Sequence, residues 1–370
     1  MTSNNQTKKG ISLFSGVGGD SLAIKNCGYN LVAYSEIDKI FRETHKSNFP
    51  GCQLIGNGDI LKTTDDEIKS ILTNNSSIDV VFAGFPCQGF SNAGQKKIND
   101  PRNTLFKEFL RVVKFTKPKF IIGENVKGLL SRKTGDGQNY IDVIKTEFEK
   151  LGYCIKYKVL KINKYNIPQS RERLFIVGIK NTVPNHANFS FPEEETNIPD
   201  LKNIVKFNMK GAIKINPEDF DMATIPSECI LTDMENEETE QNTQENKPHP
   251  NLKLLAKDKD YVYNDTTYER RLSFGKRESS IHGEIIDIRK PSKTIICTYA
   301  RQPRLFVPLK NKNGYFLRCL LPDELKQIQG FPADYNIEGN TTQKIVQIGN
   351  AVPPPIVEKI IKKIEETLGN

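Results

Sequence analysis

Tryptophan is absent from this chain, and histidine and methionine occur only four times each. Four scattered histidines form no cluster with metal-ligand spacing, so no metal is expected. The seven cysteines are odd in number and spread along the chain without a CxxC pair. That pattern excludes a zinc ribbon, a redox couple and a disulfide framework, and leaves most of them as small buried hydrophobes. No apolar run approaches the roughly 18–20 residues that span a bilayer. The opening MTSNNQTKKG lacks the apolar core of a signal peptide. The expectation is a cytoplasmic protein with no membrane partner.

What is present points to a soluble globular protein. The 370 residues are 37% hydrophobic and 26% charged, and their number suits one large domain with a smaller one. The net charge of +8 is unevenly spread. Residues 270–318 hold twelve Arg and Lys against three acids, whereas residues 193–240 hold thirteen acids against four lysines. The basic stretch is also rich in Gly, Pro, Ser and Thr, as expected of loops that approach a phosphate backbone.

The first 180 residues alternate β-rich apolar runs with helix-period segments, the pattern of a mostly parallel sheet covered by helices. ISLF (11–14), LVAYS (31–35), DVVFAG (79–84), FIIGEN (120–125), YCIKYKVL (153–160) and LFIVGI (174–179) read as strands. SLAIKNCG, TLFKEFLRVVKF and YIDVIKTEFEKLG read as helices, the last ending at Gly152. Periodicity fades between about 185 and 305, where DMENEETEQNTQENKPHP (233–250) reads as an acidic loop. It returns in LPDELKQIQGF and in the amphipathic IVEKIIKKIEETL (356–368), which is expected to pack back on the first domain. The fold class is α/β, a doubly wound mixed sheet with a smaller inserted domain. Its large domain is expected at 1–184 and 306–370, and the insertion at 185–305.

FSGVGG (14–19) follows a strand and opens a helix, where such folds bind ligands. It departs from the dinucleotide fingerprint, because Ser21 stands at the third glycine position and Asp20 sits at the helix start. A carboxylate there competes with a pyrophosphate for the helix amides. That disfavours a nicotinamide oxidoreductase. A cofactor without phosphate and with a positive sulfonium, S-adenosylmethionine, tolerates an acidic turn. Glu36, at the end of the second strand, is placed to accept hydrogen bonds from two ribose hydroxyls.

GFPCQGFS (84–91) puts Cys87 on a loop stiffened by Pro86, at the carboxyl end of a strand near the cofactor turn. This segment resembles the Pro-Cys loop of the cytosine-5 DNA methyltransferases. FSGVGG, GENVKG (123–128), QSRER (169–173) and QIGNAVPPP (347–355) are similar to that family's other motifs, in the family's order. The resemblance implies that Cys87 adds to carbon 6 of cytosine, which makes carbon 5 nucleophilic enough to take the sulfonium methyl. It implies that Glu124 serves ring nitrogen 3 as a proton donor, with Asn125 orienting the loop. By the same resemblance Arg173 contacts the exocyclic oxygen and Arg171 holds site and backbone. The target base must leave the duplex, and Gln88 and Ser91 belong to the loop that closes over it.

The resemblance also implies a cofactor pocket. Phe14, Ser15, Gly16, Val17, Gly18 and Gly19 form its turn, and Asp59 holds the adenine amino group. Ile37 and Ile60 flank the adenine ring, while Phe14, Pro86 and Leu105 line the pocket. Asn350 and Val352 return from the carboxyl-terminal motif to the methionine end. The sequence departs from the family in three places: Ile37 replaces a usual tryptophan, and Asp323 and Gln327 replace usual arginines.

A bacterial modification enzyme is the expected setting, because no regulatory domains flank the core. It would act as a monomer on double-stranded DNA, pair functionally with a cognate restriction endonuclease and release S-adenosylhomocysteine. Arg270, Arg271, Arg277, Arg301 and Arg304 are the candidate DNA contacts. An RNA methyltransferase of the same fold is the rival, disfavoured by the roughly 120-residue insertion. A silent DNA-binding relative is disfavoured by the presence of both Cys87 and Glu124.

Overall fold

Apolar, β-branched runs need cover on both faces, and in this protein they form one seven-stranded sheet. The computed structural model describes residues 7–73, 75–86, 105–217, 222–234, 261–263, 266–268, 272–277, 283–301 and 303–369. The strands of the large sheet are β1 (Lys9–Leu13), β2 (Asn30–Ser35), β3 (Gln53–Leu54), β4 (Val80–Ala83), β5 (Phe120–Asn125), β6 (Tyr153–Lys161) and, after the two-residue β7 (Gln169–Ser170), β8 (Glu172–Lys180). Their order is β3-β2-β1-β4-β5-β8-β6. β1 to β5 run parallel, and β8 lies antiparallel between β5 and β6. This is the doubly wound mixed sheet that the sequence predicts.

Strand alternation divides the core. β4 sends Val81 and Ala83 to one apolar cluster and Val80 and Phe82 to another. The first cluster is covered by α3 (Asp65–Thr73), α4 (Leu105–Thr116) and α5 (Tyr140–Lys150), through Ile68, Phe109 and Ile144 among others. The second is covered by α1 (Gly19–Asn26) and α2 (Lys39–Asn48). α2 starts where Asp38 Oδ1 accepts from the Ile40 amide at 3.0 Å, which satisfies one orphan donor.

A second sheet fills the region of weak periodicity. The strands there, in chain order, are β9 (Ile213–Ile215), β10 (Leu231–Thr232), the hairpin β11 (Tyr261–Tyr263) and β12 (Thr266–Tyr268), β13 (Leu272–Phe274), β14 (Gly283–Ile285), β15 (Ser292–Lys293), β16 (Leu305–Asn311) and β17 (Gly314–Cys319). The main path is β13-β14-β16-β17-β9, with β10 also on β16 and the hairpin separate. β15 instead pairs with β7, which ties the insertion to the large domain. The expected boundary at 305/306 falls at the start of β16. Hydrogen bonding carries the second sheet on to Cys319, because the apolar run Leu305–Leu309 pairs with β14 and β17. Most of the acidic loop at 233–250 lies outside the described residues.

The chain then returns through α6 (Pro322–Ile328), α7 (Thr341–Asn350) and α8 (Pro354–Leu368). Asn340 and Gln343 exchange side-chain and backbone hydrogen bonds at the start of α7, each 2.9 Å. α8 packs on α1 and buries Ile356, Val357, Ile360, Ile361 and Ile364, each worth about 2 kcal/mol of transfer free energy. Among the described residues no helix is long and apolar enough to cross a membrane.

Candidate active site

The turn after β1 is built on left-handed backbone at Phe14 (φ 55°), Gly16 (φ 55°) and Gly18 (φ 86°). It is closed by Gly18 N–H to the Ser15 carbonyl at 2.8 Å and tied to β2 by Ser15 N–H to the Ser35 carbonyl at 3.0 Å. Tyr335 donates its hydroxyl to the Val17 carbonyl. A side chain on Gly19 would overlap the carbonyl oxygen of Val352, so only glycine lets the carboxyl-terminal motif come this close.

Glu36 faces this turn. Its Oε2 accepts from Gly16 N–H at 2.8 Å and its Oε1 from Asp38 N–H at 2.9 Å. Burial pushes its carboxyl above the usual range, against the pull of those amides. Ile37 beside it is 67% exposed. Asp59 Oδ1 accepts from Leu61 N–H at 3.1 Å, and its Oδ2 lies 3.5 Å from Lys62 Nζ. Ile60 and Leu105 are buried in the cluster under α3 and α4, with Phe14 packed against it. Pro86 and Val352 are half-buried, and Asn350 is exposed. Leu61, passed over in the sequence, is a second exposed aliphatic side chain next to Asp59 and Ile60. Ser15 Oγ is buried without a hydrogen-bond partner among the described residues. Paired carboxylate oxygens, exposed aliphatic side chains and an unpartnered hydroxyl are what a nucleoside cofactor needs.

At the end of β5, Glu124 is 9% exposed, and its Oε1 lies 3.0 Å from Arg173 Nε. Asn125 donates from Nδ2 to the Phe85 carbonyl at 3.0 Å and accepts from Val126 N–H at 2.8 Å. The entrance of the loop after β4 is thereby pinned beside Glu124. Cys87, Gln88 and Ser91 lie further along that loop, outside the described residues.

Arg171 is 3% exposed. Its Nη1 donates to the carbonyls of Ile295 (2.9 Å) and Gly349 (3.3 Å), and its Nη2 to Ala351 (3.3 Å). Burial, with Arg173 nearby, pulls its guanidinium down to about 9. Desolvation also lowers Arg173, opposed by Glu124. Gly349 meets the 296–297 backbone so closely that a Cβ would clash. Gln169 and Gln329, which the sequence left without roles, complete this joint. Gln169 Oε1 accepts from Ile295 N–H at 3.0 Å and its Nε2 donates to Gln329 Oε1, while Gln329 Nε2 donates to the Ala351 carbonyl at 2.6 Å.

An open cleft of about 660 Å³ lies at this joint, lined by Val126, Lys127, Lys161, Ser170, Arg173 and Thr294 among others. Its cations outnumber its one acid, Glu172, which pairs with Lys127 at 3.0 Å and with Lys161 at 3.7 Å. Of the candidate DNA contacts, Arg277 and Arg301 are exposed and Arg304 is half-buried, its carbonyl accepting from Glu284 N–H at 2.8 Å. Arg270 and Arg271 lie outside the described residues.

α6 holds the departures Asp323 and Gln327, and its Glu324 is met by an arginine from β17. Arg318 is fully buried and forms a bidentate pair with Glu324, at 2.7 and 2.8 Å. Asp323 itself faces solvent, 3.4 Å from Lys326 Nζ. Among the described residues no group of three or more His, Cys, Asp or Glu could hold a metal ion.

Residues 8–366 match the model of a family described as C-5 cytosine-specific DNA methylase. The chain is similar to the type II methyltransferase M1.HphI of Haemophilus parahaemolyticus, 30% identical over 96% of this chain and 86% of that protein. It is similar also to the type II methyltransferase M.HhaI of the same organism, 30% identical over 97% of this chain and 94% of that one. A prophage-encoded E. coli protein described as a DNA modification methyltransferase shares the fold, with a TM-score of 0.63 and 22% identity over 98% of this chain and 100% of its own. So does Spodoptera frugiperda DNMT2, with a TM-score of 0.63 and 17% identity over 97% and 99%. A family match across almost the whole chain, together with this site, leads to one conclusion: the chain belongs to the C-5 cytosine-specific DNA methylases, enzymes that move the methyl group of S-adenosylmethionine to carbon 5 of cytosine in DNA.

Proposed function

We propose that Cys87 is the nucleophile of this reaction and that Glu124, Arg173 and Arg171 complete its site. The Cys87 thiolate adds to carbon 6 of a cytosine drawn out of the duplex, and the electron pair of the 5,6 double bond becomes available at carbon 5. Glu124 donates a hydrogen bond to ring nitrogen 3 as negative charge builds there, and Arg173 binds the exocyclic oxygen. Arg171 keeps the joint behind them fixed. When bound, S-adenosylmethionine supplies a methyl group on a positively charged sulfur, which carbon 5 attacks. Water takes the carbon 5 proton, and the electron pair left behind restores the double bond as the thiolate leaves carbon 6. Gln88 and Ser91 close over the extruded base.

Glu36 is the residue we assign to the ribose hydroxyls, and Asp59 to the adenine amino group, with Ile37 and Ile60 at the ring. Phe14, Pro86 and Leu105 line the same pocket, and the turn Phe14–Gly19 with Asn350 and Val352 receives the methionine end. The product released is S-adenosylhomocysteine, and no metal takes part. Residues 185–305 choose the DNA sequence, together with β16 and β17, which share their sheet. Arg277, Arg301 and Arg304 contact phosphates or guanine edges there, as do Arg270 and Arg271 beyond the described residues. The relatives named type II methyltransferases support a bacterial setting, in which a monomer works in the cytoplasm beside a cognate endonuclease.

The observation that carries this reading is the Asn125–Phe85 hydrogen bond, which holds the approach to Cys87 next to the Glu124–Arg173 pair. Duplex DNA bearing 5-fluorocytosine tests it, because fluorine cannot leave carbon 5 as a cation. Wild type is expected to form a covalent complex stable to denaturing electrophoresis, and Cys87→Ala to form none while still binding DNA. Normal turnover by Cys87→Ala would refute the assignment.

A further inference from the structure

Asp20 opens α1 directly behind the turn and is 2% exposed. Its Oδ2 accepts from the Ser12 hydroxyl of β1, and the amides of Asp20 and Ser21 also favour its charged form. Among the described residues it has no cationic partner within ion-pair distance. The groups that sense its charge are Glu124 on β5, the Cys52 thiol after α2 and the Tyr335 phenol after α6. None of these is a cation. His45 on α2, hydrogen-bonded to Ser21 Oγ at 2.9 Å, is held neutral by burial, its imidazole pushed down to about 3. A buried carboxylate with no countercharge is costly, and here burial pushes Asp20 up to about 7. The same turn contains the unpartnered Ser15 hydroxyl, a second sign that it is completed by a ligand.

We propose that the Asp20 carboxylate is the countercharge for a positively charged ligand in the turn Phe14–Gly19, so that the turn prefers the methyl donor to the thioether left after transfer. The proposal rests on the cofactor reading above. S-adenosylmethionine carries one more positive charge than S-adenosylhomocysteine and is otherwise nearly the same shape. The charge difference falls on sulfur, and Asp20 follows the turn directly, within electrostatic reach of Glu124. Loss of the methyl group removes the attraction, which speeds exchange of spent cofactor for fresh.

Titration calorimetry of the full chain with each of the two ligands tests this. Asp20→Asn keeps the shape and a partner for Ser12. It is expected to weaken S-adenosylmethionine about tenfold and to leave S-adenosylhomocysteine within about twofold. Repeating the wild-type titrations near pH 7 in buffers of different ionisation enthalpy adds a second readout. The methyl donor should release more protons than the product does, since Asp20 must ionise fully for it, and Asp20→Asn should lose that difference. Equal weakening of both ligands, or a proton difference that survives in the variant, overturns the proposal. If the variant does not fold, wild type decides alone: equal proton release for both ligands overturns it. Wild type that binds neither ligand removes the cofactor reading and this proposal with it.

Discussion

The two sheets share one apolar core but differ in what is added to it. Every residue of β4 and β5 is buried between layers of helices, so the large sheet stands on apolar packing over both faces. The second sheet contains strands of two or three residues, and polar side chains add to its join with the frame: Gln169 and Arg171 reach Ile295, and Arg318 reaches Glu324 of α6. Packing makes a platform that can hold reacting groups to within tenths of an ångström. Hydrogen bonds to backbone carbonyls make a joint that accepts varied side chains on the sheet it carries. On the function proposed above, chemistry belongs on the first and sequence choice on the second.

That contrast can be tested by changing one side at a time. On the frame, Glu124→Gln should slow single-turnover methylation by about 10²- to 10³-fold while DNA affinity changes little, because its hydrogen bond strengthens only in the transition state. An unaltered rate at saturating cofactor would remove Glu124 from the chemistry. At the joint, Arg171→Ala leaves the buried carbonyls of Ile295 and Gly349 without their donor and should cost about 3 kcal/mol in urea unfolding. A midpoint equal to wild type would mean that the joint contributes nothing. Glu36→Ala should cost about 1–3 kcal/mol of cofactor affinity without changing the denaturation midpoint much. Calorimetry that finds undiminished binding would refute its ribose role. The smallest effect is expected on the insertion: Arg277→Ala should weaken DNA binding only slightly and reduce the salt-dependence slope by about one if it meets a phosphate. A loss of discrimination at one base position would assign it to a base edge instead.

The sequence was most readable where one physical pattern acts alone. FIIGEN, apolar and buried on both faces, forms β5 over the same six residues, 120–125. α8 was legible from its apolar stripe. α2 and α7 do not announce themselves as helices, because KIFRETHKSN and TTQKIVQIGN are largely polar and rely on the Asp38 and Asn340 caps. β9, β13 and β14 are too short for a period of two to emerge. Within the site, Glu36, Glu124 and Arg173 were legible as motif residues. The Arg171 joint was legible in outline only, since its acceptors lie 124, 178 and 180 residues away in sequence.

Arg318 bears on how such enzymes acquire new targets. Its guanidinium reads two carbonyls from the 206–208 loop and one carboxylate, Glu324, from the frame's α6. A graft that exchanges only residues 185–305 keeps Arg318 and Glu324 but presents them with a foreign loop. A graft extended through 319 takes Arg318 and its carbonyls together, and has only to meet Glu324 with an equivalent arginine. Stripped of either partner, the other becomes a buried charge with nothing opposite, a loss of about 3–5 kcal/mol. If the insertion chooses the DNA sequence as proposed, the junction after Cys319 is where recombination would exchange it and still leave a foldable protein, and chimeras cut there should remain soluble more often than those cut at 305.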